Sequence, residues 1–231
     1  MEMLRHQLND VASNYLATNV FGCLEEAMGA KNSFNYPLVF KRSAGAMSEG
    51  VGIAENQRDL IQKLRRICRT PNYFREIWEF GRSLKYKKYK KESKFRNKFI
   101  IQNFIPGLNG DYKILIFSKK YYVLKRGIKK GDFRASGSGI RNYEKDIPKG
   151  LLEFAFNFFN ELDVPNASLD IAFNGTNFFL IEFQCLYFGS FTLTYSDFYW
   201  QRKDEHFELI RMKSDLEKEY VRSVVEYINT K

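Results

Sequence analysis

Apolar residues recur along the chain with two periods, and the switches between them lay out an alternation of helices and strands. Residues 3–16 carry Leu4, Leu8, Val11 and Tyr15 at helical spacing, and residues 22–31 form a second short helical stretch. Tyr36–Phe40 is a short apolar run opened by Pro37 and reads as a strand, followed by a small, glycine-rich segment from Ser43 to Gly52. Leu60, Ile61, Leu64, Ile67 and Cys68 make one apolar stripe of a helix that Asn56 can cap and that Thr70-Pro71 ends. A helix is predicted from about Phe74 to Leu84, then an exposed stretch to Lys98, then a buried strand over Phe99–Ile105. Beyond the Pro106–Gly110 turn, residues 111–118 and 120–126 predict a hairpin, and residues 127–149 a loop. Residues 150–162 predict a helix, and residues 167–173 and 178–185 two strands around Asn174–Asn177. From 204 to 229, Leu209, Ile210, Met212, Leu216, Tyr220, Val224 and Ile228 predict one long amphipathic helix. Interleaved helices and strands, with hairpins dominating late, predict an α+β fold with antiparallel sheets.

Composition narrows the class. A chain of 231 residues with 44% hydrophobic residues can bury a sizeable core, as one domain or two small lobes, which excludes wholesale disorder. Three scattered cysteines, Cys23, Cys68 and Cys185, unpaired with histidine, exclude a disulfide framework and a structural zinc site. Reduced thiols, no apolar N-terminal run and no stretch near the length of a membrane span give the expectation of a cytoplasmic protein without a membrane partner. The formal charge of +10, with 22 Phe and 14 Tyr, raises a nucleic-acid reading. That charge is local, however. Lys63 to Lys98 holds 14 Lys and Arg against 3 acidic residues, and the rest of the chain is nearly neutral. We read Lys85 to Lys98 as a solvated lysine-rich loop ahead of a nucleic-acid-binding module.

Four patterns carry candidate chemistry. Lys41 closes the first strand just before the glycine-rich stretch, where backbone amides and a point charge can hold phosphates. The stretch contains neither a Walker motif nor a dinucleotide fingerprint, and an ordinary loop with a solvated lysine is the alternative. The second pattern is Asp170, Glu182 and Gln184. If Gly175-Thr176-Asn177 is a three-residue hairpin loop, Asp170 lies opposite Glu182 and Gln184 points the same way. Two carboxylates and an amide oxygen then converge, which a hard divalent cation bound with phosphates would neutralise. A two-residue Asn174-Gly175 turn would instead place Asp170 opposite Phe179 and turn Glu182 to the other face. The third is Arg126 with Asp132–Gly139, where arginines, hydroxyls and amides can meet developing negative charge. The fourth is Gln102–Ile105, an apolar strand running into a turn, which can offer backbone groups to a flat base.

In this order the pieces resemble the ATP-grasp superfamily of carboxylate–amine ligases, over roughly residues 1–190. The resemblance implies an ATP-grasp fold, two α+β lobes whose antiparallel sheets hold ATP between them, without the usual N-terminal domain before the grasp. It implies one domain over 1–200, with a lid-type lobe at about 20–105 and a metal-site lobe at about 106–200, and a C-terminal helix over 201–231. Lys41 would contact phosphates, with Ser43, Gly45, Ser48 and Gly50 in the loop that closes over them. Gln102 would meet the adenine amino group, the backbone of Phe104 and Ile105 the ring edge, and Asp111 the ribose. Arg126 and Arg134 would be catalytic, Ser136 and Gly137 would bind substrate, and Asp170, Glu182 and Gln184 would hold one or two Mg²⁺ ions. Gln184 and Ser136 stand where the family often has Asn, and no lysine lies near Met3, where a further ATP lysine is expected. The implied activity is ATP-dependent ligation of a small carboxylate to an amine or similar nucleophile through an acyl phosphate. A homodimer or a partner supplying the missing domain is compatible with this. The alternative is an ATP-binding protein or subunit without independent ligase activity.

Overall fold

The structure, a computed structural model, describes residues 16, 18–43, 50–70 and 72–231. The helix expected over 3–16 therefore lies almost entirely outside the described residues. The chain divides into two compact units, the smaller Ala17–Phe104 and the larger Ile105–Lys231, to which Leu16 also belongs. Among the described residues no helix is long and apolar enough to cross a membrane.

The smaller unit contains β1 (Thr18–Phe21), α1 (Leu24–Gly29), β2 (Leu38–Arg42), β3 (Val51–Ala54), α2 (Gln57–Ile67), α3 (Tyr73–Lys85) and β4 (Phe99–Asn103). Its antiparallel sheet has the order β1-β4-β2-β3. Strand alternation sends Leu38, Phe40, Phe99, Ile101 and Phe21 into a core that Leu24, Ala27, Leu60 and Leu64 of α1 and α2 cover. The opposite face carries Val39 beside Gln102 and Lys41 beside Ile100. Asn56 caps α2 as expected, its side chain accepting from the Asp59 N–H at 3.0 Å. Val51 and Gly52, expected in the loop, begin β3 instead.

The larger unit contains β5 (Gly110–Phe117), β6 (Lys120–Gly127), β7 (Arg141–Asn142), α4 (Leu151–Leu162), β8 (Asn166–Phe173), β9 (Phe178–Gln184), α5 (Phe191–Thr194), β10 (Tyr199–Lys203), β11 (His206–Ile210) and α6 (Leu216–Asn229). The main path of its sheet is β11-β10-β6-β5-β8-β9, with β7 added to β6. Alternation along β5 splits the core between two faces. Tyr112, Ile114 and Ile116 pack with α4, whereas Leu115 and Phe117 pack with Tyr122, Phe188 and Leu193 on the other side, where Tyr220 of α6 also lies.

Two expectations are corrected here. The single helix over 204–229 is a β-hairpin followed by a shorter helix. Leu209 and Ile210 belong to β11, which pairs with β10, and β10 in turn continues the sheet on β6. The apolar spacing of 204–229 satisfies either reading, and only the long-range pairing of Trp200 with Tyr121 decides it. Asp215 then caps α6, its carboxylate accepting from the Lys218 N–H. The second concerns the β8–β9 hairpin. Phe173 pairs with Phe178, which makes a four-residue loop, not three, and the Asn174 side chain accepts from the Thr176 and Asn177 N–H groups inside it. A register shift beside Ile171 leaves Ile181 as the extra residue of a bulge and restores the pairing of Asp170 with Glu182.

At the start of β5, a Cβ on Gly110 would lie 2.2 Å from the Arg126 carbonyl oxygen. Gly110→Ala must therefore push β5 and β6 apart. It is expected to lower stability by about 1–3 kcal/mol in urea unfolding, and an unchanged midpoint would contradict this close approach.

Candidate functional site

The site of the larger unit is assembled from four adjacent strands on the face away from α4. In β5, Asp111 and Lys113 are two residues apart and so point the same way. Pairing sets Arg126 of β6 beside Asp111, Asp170 of β8 beside Lys113, and Glu182 of β9 beside Asp170. The Arg126 guanidinium donates from Nε and Nη2 to the two oxygens of Asp111, both at 2.6 Å, a bidentate fork. Arg126 Nη2 also lies 2.8 Å from Asp170 Oδ2, and Lys113 Nζ donates to Asp170 Oδ1 at 3.2 Å. Two carboxylates and two cations thus interlock with their side chains largely buried.

Electrostatics separate the two carboxylates. Burial opposes the charge of Asp170, but Arg126 and Lys113 outweigh it and hold the carboxyl below its usual range. At Asp111 burial prevails over Arg126 and pushes the carboxyl up. Burial also works against the Arg126 charge, yet Asp170 and Asp111 more than compensate, so the guanidinium stays protonated. Among the described residues its Nη1 has no hydrogen-bond partner.

Arg126 and Lys113 also line a cavity of about 120 Å³, together with Gly137, Ser138, Arg141 and Thr192. Three cationic side chains therefore border one small space. The Thr192 hydroxyl is buried there without a hydrogen-bond partner among the described residues. The Arg141 guanidinium lies 3.8 Å from the Phe191 ring centroid, which fixes the wall of this space. Such a pocket suits an anionic group of phosphate or carboxylate size.

The expected residues are distributed as follows. Asp111, Arg126, Asp170, Glu182 and Gln184 share one sheet face, and Gly137 joins Arg126 at the cavity. Both Asp111 oxygens are engaged by Arg126, which makes Asp111 an orienting partner of that guanidinium. Arg134 is closed onto Asp132, with Nε and Nη2 each 2.9 Å from a carboxylate oxygen, and neither Arg134 nor Ser136 is among the cavity-lining residues. Ile105 packs with Leu108, Ala172, Phe179 and Ile181 of the larger unit, and Phe104 ends the smaller one. In the smaller unit, Lys41 lies at the end of β2, the Ser43 N–H donates to the Lys98 carbonyl, and buried Gln102 donates from Nε2 to Thr18 Oγ1 at 3.0 Å. Gly50 has a positive φ of 73°, whereas Gly45 and Ser48 lie outside the described residues. Lys113, Arg141 and Thr192 were not anticipated. Strand alternation with Asp111 could have found Lys113, but no sequence signal marks the other two.

As a metal site, the donor set fits a hard cation in kind, although both Asp170 oxygens are already engaged, one by Arg126 and one by Lys113. Asp170 and Glu182 are cross-strand neighbours, Gln184 is two residues on, and all their donor atoms of interest are oxygens. Among the described residues no group of three or more His, Cys, Asp or Glu could hold a metal ion, and the Gln184 amide would be the third side-chain donor of this set. That amide instead donates from Nε2 to Glu182 Oε1 at 3.1 Å, and a bound cation would require it to turn over.

This architecture matches solved structures of ATP-grasp enzymes, and the chain has the ATP-grasp fold. It is similar to D-cycloserine synthetase, at 12% identity and a TM-score of 0.61, over 96% of this chain and 67% of that one. It is similar to the ADP complex of N5-carboxyaminoimidazole ribonucleotide synthetase, at 11% identity and a TM-score of 0.57, over 84% of this chain and 46% of that one. It is also similar to an L-amino acid ligase from Bacillus licheniformis, at 15% identity and a TM-score of 0.54, over 84% and 42%. The chain thus spans between 42% and 67% of the length of these structures. No protein-family model and no curated protein matches the sequence.

Proposed function

We propose that the chain carries the nucleotide-handling and reacting machinery of an ATP-dependent ligase that joins a carboxylate to an amine or similar nucleophile. The observation that carries this reading is the Arg126 guanidinium, held by Asp111 and Asp170 at the edge of a cavity that Lys113 and Arg141 also border. A rigid, permanently charged donor beside a small cationic space is what transfer of a phosphoryl group to a carboxylate requires. A substrate carboxylate oxygen attacks the γ-phosphorus of ATP, the bond to the bridging oxygen breaks, and ADP leaves. The nucleophile then attacks the acyl carbon, loses its proton, and displaces inorganic phosphate. Positioning and charge supply the rate, and no protein nucleophile is needed. Arg126 and Lys113 orient and neutralise the transferring group, with Gly137 offering backbone at the cavity wall. In the smaller unit, Lys41 with Ser43 and Gly50 would serve the phosphates, and Gln102 with the Phe104 and Ile105 backbone the adenine. Asp170, Glu182 and Gln184 would hold Mg²⁺, which supplies neutralising charge to the nucleotide phosphates when bound.

A second reading, an ATP-binding protein without ligase activity of its own, is favoured by Arg134, which is closed onto Asp132 away from the cavity lining. Two measurements decide. ATP with Mg²⁺ should raise the melting temperature by several degrees, equivalent to about 2.7 kcal/mol at a hundredfold excess over Kd; no shift would remove both readings. A screen of amino acids and sugar-linked acids with amines for ADP release should find turnover, and nucleotide binding without any ADP release would leave only the second reading.

A further inference from the structure

We propose that α3 and the lysine run behind it form a docking face for an anionic lipid surface. The inference rests on the smaller unit alone and is independent of the ligase reading.

Helix α3 is mounted the wrong way round for a globular protein. An amphipathic helix ordinarily turns its apolar stripe inward. Here the polar side faces the returning chain. Glu79 is buried and accepts from the Tyr89 hydroxyl at 2.7 Å and from the Glu92 N–H at 3.3 Å. Glu76 pairs with Lys94 at 2.7 Å, and Arg75 with Glu92 at 2.6 Å. With those contacts made, Tyr73, Phe74, Ile77, Trp78, Phe80 and Leu84 point outward at helical spacing. Phe74 is 89% exposed, Ile77 and Leu84 71%, and Trp78 56%. Large apolar residues gathered on an exposed face mark an interaction surface.

Charge identifies the occupant. Directly after this face come Lys85, Lys87, Lys88, Lys90 and Lys91, all exposed, with no acidic residue between them. None forms an ion pair with a described residue, whereas the neighbouring Lys94 and Arg96 do. Lys85 and Lys91 lie against the Tyr86 and Phe80 rings, so the cations border the aromatic face itself. A second copy of this chain would bring two such lysine runs together and is disfavoured by repulsion. Nucleic acid would satisfy the lysines but leave Ile77, Leu84 and Phe74 in water. A folded acidic partner requires polar groups on the face to set its register, and the outward side chains of α3 are mainly apolar. A lipid interface needs no register. Phe, Leu and Ile enter the acyl boundary, Trp and Tyr occupy the headgroup level, and lysines hold anionic headgroups as point charges. The chain is expected to lie on such a surface, and no described helix spans it.

The test is co-sedimentation of the full chain with vesicles at about 0.15 M ionic strength. Binding is expected to phosphatidylcholine vesicles that contain phosphatidylserine and not to phosphatidylcholine alone. Reversing Lys87, Lys88, Lys90 and Lys91 to Glu should lower the anionic-vesicle partition coefficient by about tenfold or more. The double variant Phe74→Ser, Trp78→Ser should do the same through lost apolar insertion. Both variants change exposed side chains, and their melting curves should match the unaltered chain. Absence of binding to anionic vesicles overturns the proposal, as does binding that survives both variants. A concentration-dependent dimer lost in the Phe74/Trp78 variant without vesicle binding would assign the face to a second copy. Nucleic acid held tightly at about 0.2 M salt without vesicle binding would assign it there. If either variant unfolds, the preference of the unaltered chain for anionic over neutral vesicles still decides.

Discussion

Arg126→Ala should abolish ADP formation and destabilise the larger unit by about 3–5 kcal/mol. The guanidinium is the shared counter-ion of Asp111 and Asp170, which are largely buried on either side of it. Removing it strands two like charges next to each other, with Lys113 left to serve Asp170 alone. Arg126→Lys should recover part of the stability but not the activity, because a single ammonium cannot reproduce the fork to Asp111. The combination of Arg126→Ala with Asp111→Asn should be less destabilised than Arg126→Ala by itself, since only one buried carboxylate is then unmatched. The pH dependence gives an independent sign. In the unaltered protein Asp170 is held below its ordinary value, so its contribution is present above the unfolded carboxylate pKa and is lost as pH falls. Without Arg126, Lys113 still opposes burial at Asp170, but Asp111 loses its main counter-ion and binds its proton more readily folded than unfolded. The variant should therefore gain stability on acidification from about pH 7 to 5. Urea titrations at both pH values measure this, and a variant as stable as the parent would show that the ion pairs are peripheral.

The second large effect is expected at the paired carboxylates of β8 and β9. Glu182→Gln should leave the melting temperature of the free protein unchanged while lowering Mg²⁺-dependent ATP affinity by about 100-fold or more, since even outer partners of a metal cost 10–100-fold. Glu182 is exposed, and the bond it accepts from the Gln184 amide can equally be accepted by a glutamine. Asp170→Asn should lose the same affinity but also stability, because Arg126 and Lys113 both depend on that carboxylate. Calorimetric titration of ATP with Mg²⁺ and with EDTA separates the two. Equal affinity of Glu182→Gln and the parent in the presence of Mg²⁺ would remove Glu182 from the ligand set.

Much of the fold could be read from the chain wherever local pattern decides it. The stripe Leu60, Leu64, Cys68 and its Asn56 cap are local, and they form as expected. The approach of Asp170 to Glu182 was also anticipated, though by a three-residue loop where a longer loop and a bulge give the same pairing. What escaped depends on distant partners. Leu209 and Ile210 could serve a helix or a strand until β10 meets β6. Lys113 looks like a solvent-facing lysine of a half-buried strand until β8 places Asp170 against it. Arg141 lies in the two-residue strand β7 and Thr192 in the short helix α5, both too short to show periodicity, and only the folded unit brings them to one cavity. The outward side of α3 was hidden for a related reason. Periodicity shows that a helix has two unlike faces, but not which of them the rest of the chain covers.

The bulge at Ile181 has a consequence for how this hairpin can vary. Leu180 and Phe183 both reach the core beneath α4 although three positions apart, and the two side chains between them lie on the opposite side. In an uninterrupted ladder Glu182 would oppose Leu169 and point into that core. Loss of Ile181 alone would close the bulge and keep Glu182 opposite Asp170, whereas a ladder that straightens with Ile181 still present would put Ile181 there and send the carboxylate inward. The bulge thus works as a one-residue frame correction, setting right beyond Ile181 the phase that the four-residue loop would otherwise leave inverted.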